Sequence, residues 1–394
     1  MKIECIKLKN YKTFEDLEIN NLPSMAVFVG ANGSGKTTLF DVFGFLSDSL
    51  KNNVRQALQI RGGFKEVISR GKSGFIEIEL QFRILIAGKN RLVTYRLEIG
   101  EELGLPYINR EILRYKRGQH GSPYHFLDFT KGAGFAITNE EAFDKKDEEL
   151  TREDQTLGSP DILAIKGLGQ FQRFKAANAF RSFIENWHVS DFHITEARPS
   201  QEAGYAEHLS PTGHNLPLVA QYMFEYHKKE FQEVLNKMKK RVPGISNVEA
   251  VPTEDGRIVL KFQDGSFKDP FIARYVSDGT IKMFAYLLLL HDPKPHPLLC
   301  IEEPENQLYP TLMGELLEEF RDYSMRGGQV FISTHSPDLL NHAELKEVFW
   351  LVKQDGFTSL HCAQDDELIS NLFKEGDLLG YLWIQDYFKN SNPK

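Results

Sequence analysis

Apolar and polar positions alternate from the first residues of the chain. Ile6 and Leu8 alternate with lysines, and Leu17 and Ile19 repeat the alternation after a short connection, so two half-buried strands are predicted. Met25 to Val29 is apolar throughout, the pattern of a fully buried strand. Beyond a glycine-rich stretch at 30–38, Leu39, Phe40, Val42, Phe43 and Leu46 recur at helical spacing. Alternation returns at Ile76, Ile78, Leu80 and Phe82, then at Leu92, Val93, Tyr95, Leu97 and Ile99. The Gly-Lys-Asn at 88–90 between these runs predicts an antiparallel hairpin.

The middle of the chain reads differently. From about 160 to 240 the period is helical, with one stripe through Phe171, Phe174, Ala177 and Phe180 and another through Met223, Phe231, Val234, Leu235 and Met238. Val248 to Phe262 predicts strands around a Glu254-Asp255-Gly256 turn. A helix from about 280 stops before the proline-rich 293–297, and a buried strand follows at Leu298 to Ile301. A helix over 311–324 then leads to the strand Val330 to Ser333. Strands alternating with helices predict a largely parallel sheet there.

Composition narrows the class. With 394 residues, 41% hydrophobic and 26% charged, the chain is that of a soluble globular protein of two to three domains at roughly 150 residues each. The net charge of −8 excludes adhesion to nucleic acid by bulk positive charge, and leaves a local patch open. Residues 51–72 carry Lys51, Arg55, Arg61, Lys65, Arg70 and Lys72 against Glu66 alone, which suits either a phosphate backbone or a solvated face. A second cluster, Lys228, Lys229, Lys237, Lys239, Lys240 and Arg241, reads as an exposed helix face. Residues 139–155 hold eight acids and three bases, the composition of a solvated connection. Cys5, Cys300 and Cys362 lie far apart with no CxxC spacing, which argues against a zinc site or a disulfide framework and fits a reducing compartment. The longest apolar run, Met283 to Leu290, falls well short of the ~20 residues of a membrane span, and MKIECIKLKN is too charged for a signal peptide. A cytoplasmic protein without membrane segments is expected.

Four motifs carry chemistry. Gly30-Ala-Asn32-Gly33-Ser34-Gly35-Lys36-Thr37 completes the GxxxxGK[ST] phosphate loop between the buried strand and the helix. Its backbone N–H groups would wrap phosphates, Lys36 would reach the β- and γ-phosphates, and the Thr37 hydroxyl would hold Mg²⁺. Ile301-Glu302-Glu303-Pro304-Glu305 ends an apolar strand in adjacent carboxylates. Glu302 would take the Mg²⁺ or a water on it, and Glu303 would polarise the attacking water. Ser333-Thr-His335-Ser-Pro puts a histidine just past another buried strand, where it would contact the γ-phosphate. Val276-Ser277-Asp278-Gly279-Thr280 precedes an apolar helix, and serves as its N-cap and as a second anion site.

GANGSGKTT, VSDGT, LLCIEEPENQLYP and STHSP, in that order, resemble the ABC-type ATPases of the SMC and RecF class. The opening IKLKNYKTFEDLEI resembles the start of that class, and the whole is similar to the compact bacterial AAA-type ATP-binding proteins of phage-defence operons. The matched motifs lie in about 1–50 and 270–340. The resemblance implies an α/β P-loop head with a mixed sheet, an N-terminal antiparallel β-subdomain and an inserted, mainly helical lid. Two heads would pair head to tail around two ATP·Mg²⁺, in a homodimer or a higher homo-oligomer. Gly30, Asn32, Gly33, Ser34, Gly35, Lys36, Thr37 and Thr38 of one copy would hold the nucleotide, and Ser277 and Gly279 of the other would close on its γ-phosphate. Thr37 and Glu302 would serve Mg²⁺, Glu303 catalysis, and His335 the switch, with Glu305-Asn306-Gln307-Leu308 in the D-loop between sites.

Further expectations follow from the resemblance. The chain would divide into 1–135 and 246–394 as the two parts of the head, with 136–245 as the lid. It would hydrolyse ATP slowly, because VSDGT replaces LSGGQ and puts Asp278 beside a phosphate site, where it must point away or cap the helix. Gln59 and Gln81 are the candidates for the glutamine-bearing loop. About 57 residues follow Pro337 without a DxD, so no Toprim nuclease is expected in this chain, and the output would lie in a separately encoded effector. The second reading is a RecF-like repair ATPase that binds DNA ends or gaps through Arg61, Lys65 and Arg70.

Overall fold

The computed structural model describes residues 1–86, 89–115, 124–139 and 149–392. The chain divides into two units: Met1–Trp187 with Lys346–Ser370 and Asp386–Lys394, and His188–Leu345 with Asn371–Gln385.

In the first unit an eight-stranded antiparallel sheet runs in the order Phe14–Ile19, Ile3–Tyr11, Ile76–Ile86, Lys89–Glu102, Leu105–Tyr115, Tyr124–Thr130, Ala133–Ile137 and Arg152–Thr156. The alternation fixes its faces: Ile76, Ile78, Leu80 and Phe82 are buried, as are Val93, Tyr95, Leu97 and Ile99 on the next strand. The helix Lys175–Glu185 packs on that face, with the Phe180 ring stacked on Phe82 at 4.5 Å and tilted against Tyr95 at 4.6 Å between ring centres. Each such buried ring contributes about 1.5–3 kcal/mol. Apart from this sheet, Met25–Gly30 pairs in parallel with Val348–Gln354, which pairs antiparallel with Phe357–Cys362. The helix Lys36–Lys51 follows Met25–Gly30, and its Phe43 meets the Trp187 ring edge-on at 5.4 Å.

The second unit holds three parallel strands, His188–Ser190, Leu299–Glu302 and Val330–Thr334. A small antiparallel sheet joins Ile245–Pro252, Arg257–Asp264, Gln201–Glu202 and Phe271–Ile272. The helices Leu216–Tyr226, Lys228–Arg241, Asp278–Leu290 and Met313–Met325 complete it, and Met223, Phe231, Val234, Leu235 and Met238 are all buried. No helix among the described residues is long and apolar enough to cross a membrane.

Several expectations need correction. The expected bounds at 136 and 246 do not coincide with the two units: position 136 falls inside the strand Ala133–Ile137, residues up to Trp187 belong to the first unit, and 188–245 belong to the second. The 139–155 stretch is not all connection, since Glu153 and Asp154 lie in the edge strand Arg152–Thr156; Glu140, Glu141, Asp144, Asp147 and Glu148 lie outside the described residues. The hairpin pairs Ile86 with Lys89, and position 88 of its tip lies outside the described residues. Phe171 is exposed, because the helix starts only at Lys175. The Lys228–Arg241 helix is not a plain exposed face: Lys237 and Arg241 both pair with the buried Glu319.

Candidate functional site

The phosphate loop is built in the first unit. A buried strand delivers Gly30, and the helix starts at Lys36, so the loop sits where backbone N–H groups gather at a helix N-terminus. Gly33 and Gly35 take left-handed φ values of 74° and 109°. A Cβ on Gly30 would meet Ser34 Oγ at 2.6 Å and the Leu351 carbonyl at 2.8 Å. Lys36 is buried, and its ammonium donates to the carbonyls of Gly30 (2.8 Å) and Ala31 (3.2 Å). Ser34 Oγ is buried with no hydrogen-bond partner among the described residues, while Asn32 and Thr37 are exposed and Thr38 half-buried.

The loop is braced from a distant part of the chain. Thr358 Oγ1 donates to the Ser34 carbonyl at 2.8 Å, and the Thr358 N–H donates to the Thr13 carbonyl at 2.8 Å. A Cβ on Gly35 would meet the hydroxyls of both threonines at about van der Waals overlap, at 2.9 and 3.0 Å. No local signal marks Thr358.

The basic stretch is largely spent on internal pairs. Arg61 is not available to DNA: its Nε donates to Asp41 Oδ1 (2.6 Å) and its Nη1 to Asp48 Oδ2 (2.9 Å), and its side chain is only 9% exposed. Asp41 also accepts from Tyr11 OH at 2.8 Å and Lys12 Nζ at 2.5 Å, and this cluster anchors the phosphate-loop helix. Burial works against the Arg61 charge, yet Asp41 outweighs it together with Tyr11 and Asp48, and the guanidinium is held above its usual range. Arg55 pairs with Asp161, Arg70 with Glu66 and Lys72 with Glu15. Lys65 is exposed and makes no ion pair among the described residues. Gln59 is exposed on the helix Val54–Ile60, and Gln81 is half-buried in the strand Ile76–Ile86.

The second unit carries the acids and the histidine. Glu302 ends its strand half-buried, and Glu303 turns out of line at φ 44°. Glu303 Oε1 lies 3.4 Å from His335 Nε2, and its Oε2 accepts from Asn306 Nδ2 at 2.7 Å. Beneath it, Lys282 donates to the carbonyls of Glu303 (3.2 Å) and Asn306 (2.9 Å). Burial lowers Lys282 to about 8 despite the neighbouring Glu305 and Glu303. Glu305 points inward: Oε1 accepts from the His335 N–H (2.7 Å) and Thr334 Oγ1 (2.8 Å), and burial raises its pKa. Within the expected D-loop, therefore, Glu305 is an internal anchor for the histidine's backbone, whereas Asn306 and Gln307 are exposed. Lys282 and Glu305 escape motif reading as anchors, although a lone lysine in an otherwise apolar helix is a signal for the first.

Ser277 caps the helix Asp278–Leu290, accepting from the Thr280 N–H at 3.3 Å. Asp278 is paired with Arg198, whose Nη1 also donates to the carbonyls of Ala273 (3.1 Å) and Arg274 (3.0 Å). Gly279 leaves room for the D-loop, since a Cβ there would lie 2.7 Å from the Gln307 carbonyl oxygen.

The Thr37 hydroxyl at the end of the phosphate loop is an oxygen donor of the kind that suits a hard cation such as Mg²⁺. The Gly30–Gly35 cradle, closed to any Cβ at Gly30, suits phosphate oxygens.

Comparison with known proteins agrees. The family model described as "AAA domain, putative AbiEii toxin, Type IV TA system" matches residues 25–341. The DNA replication and repair protein RecF of Lactobacillus johnsonii is 33% identical over 150 residues, 32% of this chain and 40% of that protein. The chain thus spans about 40% of the curated relative it matches. Among solved structures, an Smc head bound to the C-winged helix domain of ScpA superposes with a TM-score of 0.55 at 16% identity, covering 92% of this chain and 97% of that one. An Smc head with an extended coiled coil, bound to the C-terminal domain of ScpA derived from Pyrococcus furiosus, gives 0.53 at 12% identity, covering 95% and 99%. The fold is that of an SMC head.

Proposed function

We propose that this chain, which belongs to the AAA-domain family just described and to the SMC/RecF class of ABC-type ATPases, is a slow ATP-driven switch that works as a pair of heads. The observation that carries the catalytic reading is the Glu303–His335 pair at 3.4 Å, on a loop strained at Glu303 and braced by Lys282. A carboxylate held at a strand end by a histidine and an asparagine suits a base that polarises an attacking water.

Lys36 and the loop N–H groups would neutralise the phosphates, with Thr37 and Glu302 holding Mg²⁺, which supplies further charge neutralisation when bound. Ser277 and Gly279 of a second copy would complete the site, and His335 would sense the γ-phosphate. In this reading the pair of heads acts in phage defence through a separately encoded effector; the family's printed description names a putative toxin of a type IV TA system.

One experiment tests this reading. Purified wild type and Glu303→Gln are given ATP and Mg²⁺, and hydrolysis and mass in solution are measured together. Wild type turns over slowly; the variant loses about 10²–10⁴-fold in rate and accumulates as an ATP-bound oligomer. Unchanged hydrolysis in Glu303→Gln overturns Glu303 as the base.

The RecF match favours a second reading, a DNA-repair ATPase. Its DNA contacts would rest on Lys65 and Arg70, because Arg61 is committed to Asp41 and Asp48. Charge reversal at Lys65 and Arg70 that leaves ATP-dependent DNA binding intact removes its support.

A further inference from the structure

Three imidazoles and a carboxylate of the second unit gather at one point that the ATPase reading does not use. His188 opens the strand His188–Ser190 and stands in register with Leu299. His296 lies three residues ahead of Leu299, and Asp292 lies in the turn after the helix Asp278–Leu290. His208 comes from the loop between Gln201–Glu202 and the helix Leu216–Tyr226. The His296 ring is 5.1 Å from that of His188 and 5.0 Å from that of His208. His208 Nδ1 is 2.7 Å from Asp292 Oδ2, and Asp292 Oδ1 accepts from the Lys294 N–H at 2.8 Å.

We propose that His208, Asp292 and His296 bind a divalent first-row transition metal, zinc above all, with water as the fourth ligand. One donor atom from each lies within 4.8 Å of the other two. Donors at about 2.0–2.2 Å from a zinc ion stand about 3.5 Å apart, a contraction that side-chain rotation supplies. Zinc accepts two imidazole nitrogens beside one carboxylate oxygen, whereas magnesium prefers a set of oxygen ligands alone. Asp292 and His296 are buried, whereas the His208 side chain is 34% exposed, which opens a path for the ion and its water. The Lys294 N–H orients the carboxylate as an outer-shell partner does. A histidine–carboxylate hydrogen bond by itself accounts for His208 and Asp292, but not for the convergence of two more imidazoles on them. The scattered cysteines, read above as arguing against a zinc site, exclude a thiolate set but not one built of imidazoles and a carboxylate.

The ion would cross-link separate stretches of the second unit. Asp292 and His296 lie just ahead of the strand Leu299–Glu302, whose far end carries Glu302, so the ion would tie the 203–214 loop to the turn that feeds the acid-bearing strand. This inference does not depend on the ATPase reading.

The test uses the full chain without nucleotide, stripped with a chelator and returned to metal-free buffer. Zinc is titrated in competition with a chromophoric chelator, cobalt is followed by its visible absorption, and thermal unfolding is measured with and without zinc. Wild type is expected to take up one zinc per chain, to give the strong visible bands of a tetrahedral cobalt site, and to unfold at a higher temperature with zinc. His208→Gln and Asp292→Asn bind at least tenfold more weakly and lose the zinc-dependent shift, while His214→Gln, an exposed histidine outside the cluster, behaves as wild type. Unfolding of each variant in excess chelator checks that it still folds. Wild type that retains no zinc, or that binds it no better than His208→Gln, overturns the proposal and leaves a hydrogen-bonded pair.

Discussion

Two short glycine-bearing segments of this chain each open a helix, and they use glycine for opposite reasons. In the phosphate loop, Gly33 has a left-handed φ of 74° and open space around a Cβ, so the demand is conformational. In the Ser277–Thr280 segment, Gly279 lies inside the helix, and its Cβ would strike the Gln307 carbonyl at 2.7 Å, so the demand is for space. Their charged residues differ in the same sense. Lys36 is held by carbonyls of its own loop, whereas Asp278 is held by Arg198, eighty positions away in sequence. One segment holds its charged residue within its own nine residues, although Thr358 braces it from outside, and the other is assembled from three parts of the chain.

The first prediction probes the phosphate loop. Lys36→Ala removes a charge-assisted contact to phosphate and lowers nucleotide affinity about 10–100-fold by calorimetry. Ser277→Ala loses a cap worth about 1 kcal/mol but leaves the affinity of a single chain unchanged. Equal losses of affinity in both variants would end the contrast. The second prediction exchanges the glycines. Gly279→Ala gains about 1 kcal/mol of helix propensity, yet it forces the Gln307 backbone aside, and the net cost is about 1–3 kcal/mol by denaturant unfolding. Gly33→Asn costs under about 1 kcal/mol, since asparagine accepts the left-handed region and nothing obstructs its Cβ. The reverse order would break the comparison.

The same distinction decides what could be read before the structure was known. The phosphate loop is legible because its spacing, its buried strand and its helix are all local, and the acid and histidine positions follow from apolar runs that end abruptly. Four strands of the antiparallel N-terminal sheet are legible from alternation, whereas Leu105–Tyr115, Tyr124–Thr130, Ala133–Ile137 and Arg152–Thr156 are not among those predicted. Thr358, Arg198 and the inward turn of Glu305 are not, because each acts across a fold contact that no local pattern encodes. Arg61 shows the limit most directly: counting bases in 51–72 cannot separate a side chain buried on Asp41 from an exposed one such as Lys65. The bounds of the 136–245 segment are hard to read for a related reason. Its helical period is real, but period does not reveal that the segment is shared between two units.

The third prediction concerns Lys282, which braces the loop that crowds Gly279. Its folded pKa of about 8 lies below the 10.5 of an exposed lysine. Between those values the unfolded chain holds a proton that the folded chain has released, so stability rises with pH across the window. From pH 8 to 9.5 the gain is about 1–2 kcal/mol, and Lys282→Met flattens the profile in chemical unfolding. A profile for Lys282→Met that keeps the wild-type slope would assign the proton elsewhere.

The smallest effects are expected at the Arg198–Asp278 pair, and here the order of two variants is the test. Asp278 is about half exposed and sits in the first helical turn, so Asp278→Asn costs under about 1 kcal/mol. It also leaves Arg198 bound to the carbonyls of Ala273 and Arg274, and so keeps Ser277 and Gly279 in place. Arg198→Ala removes those anchors and leaves a bare carboxylate beside a segment proposed to meet a phosphate. ATP-dependent assembly, measured as mass in solution in a Glu303→Gln background, should therefore weaken more in Arg198→Ala than in Asp278→Asn. If Asp278→Asn instead strengthens assembly as much as Arg198→Ala weakens it, the carboxylate is not neutralised, and the second segment depends on its own charge after all.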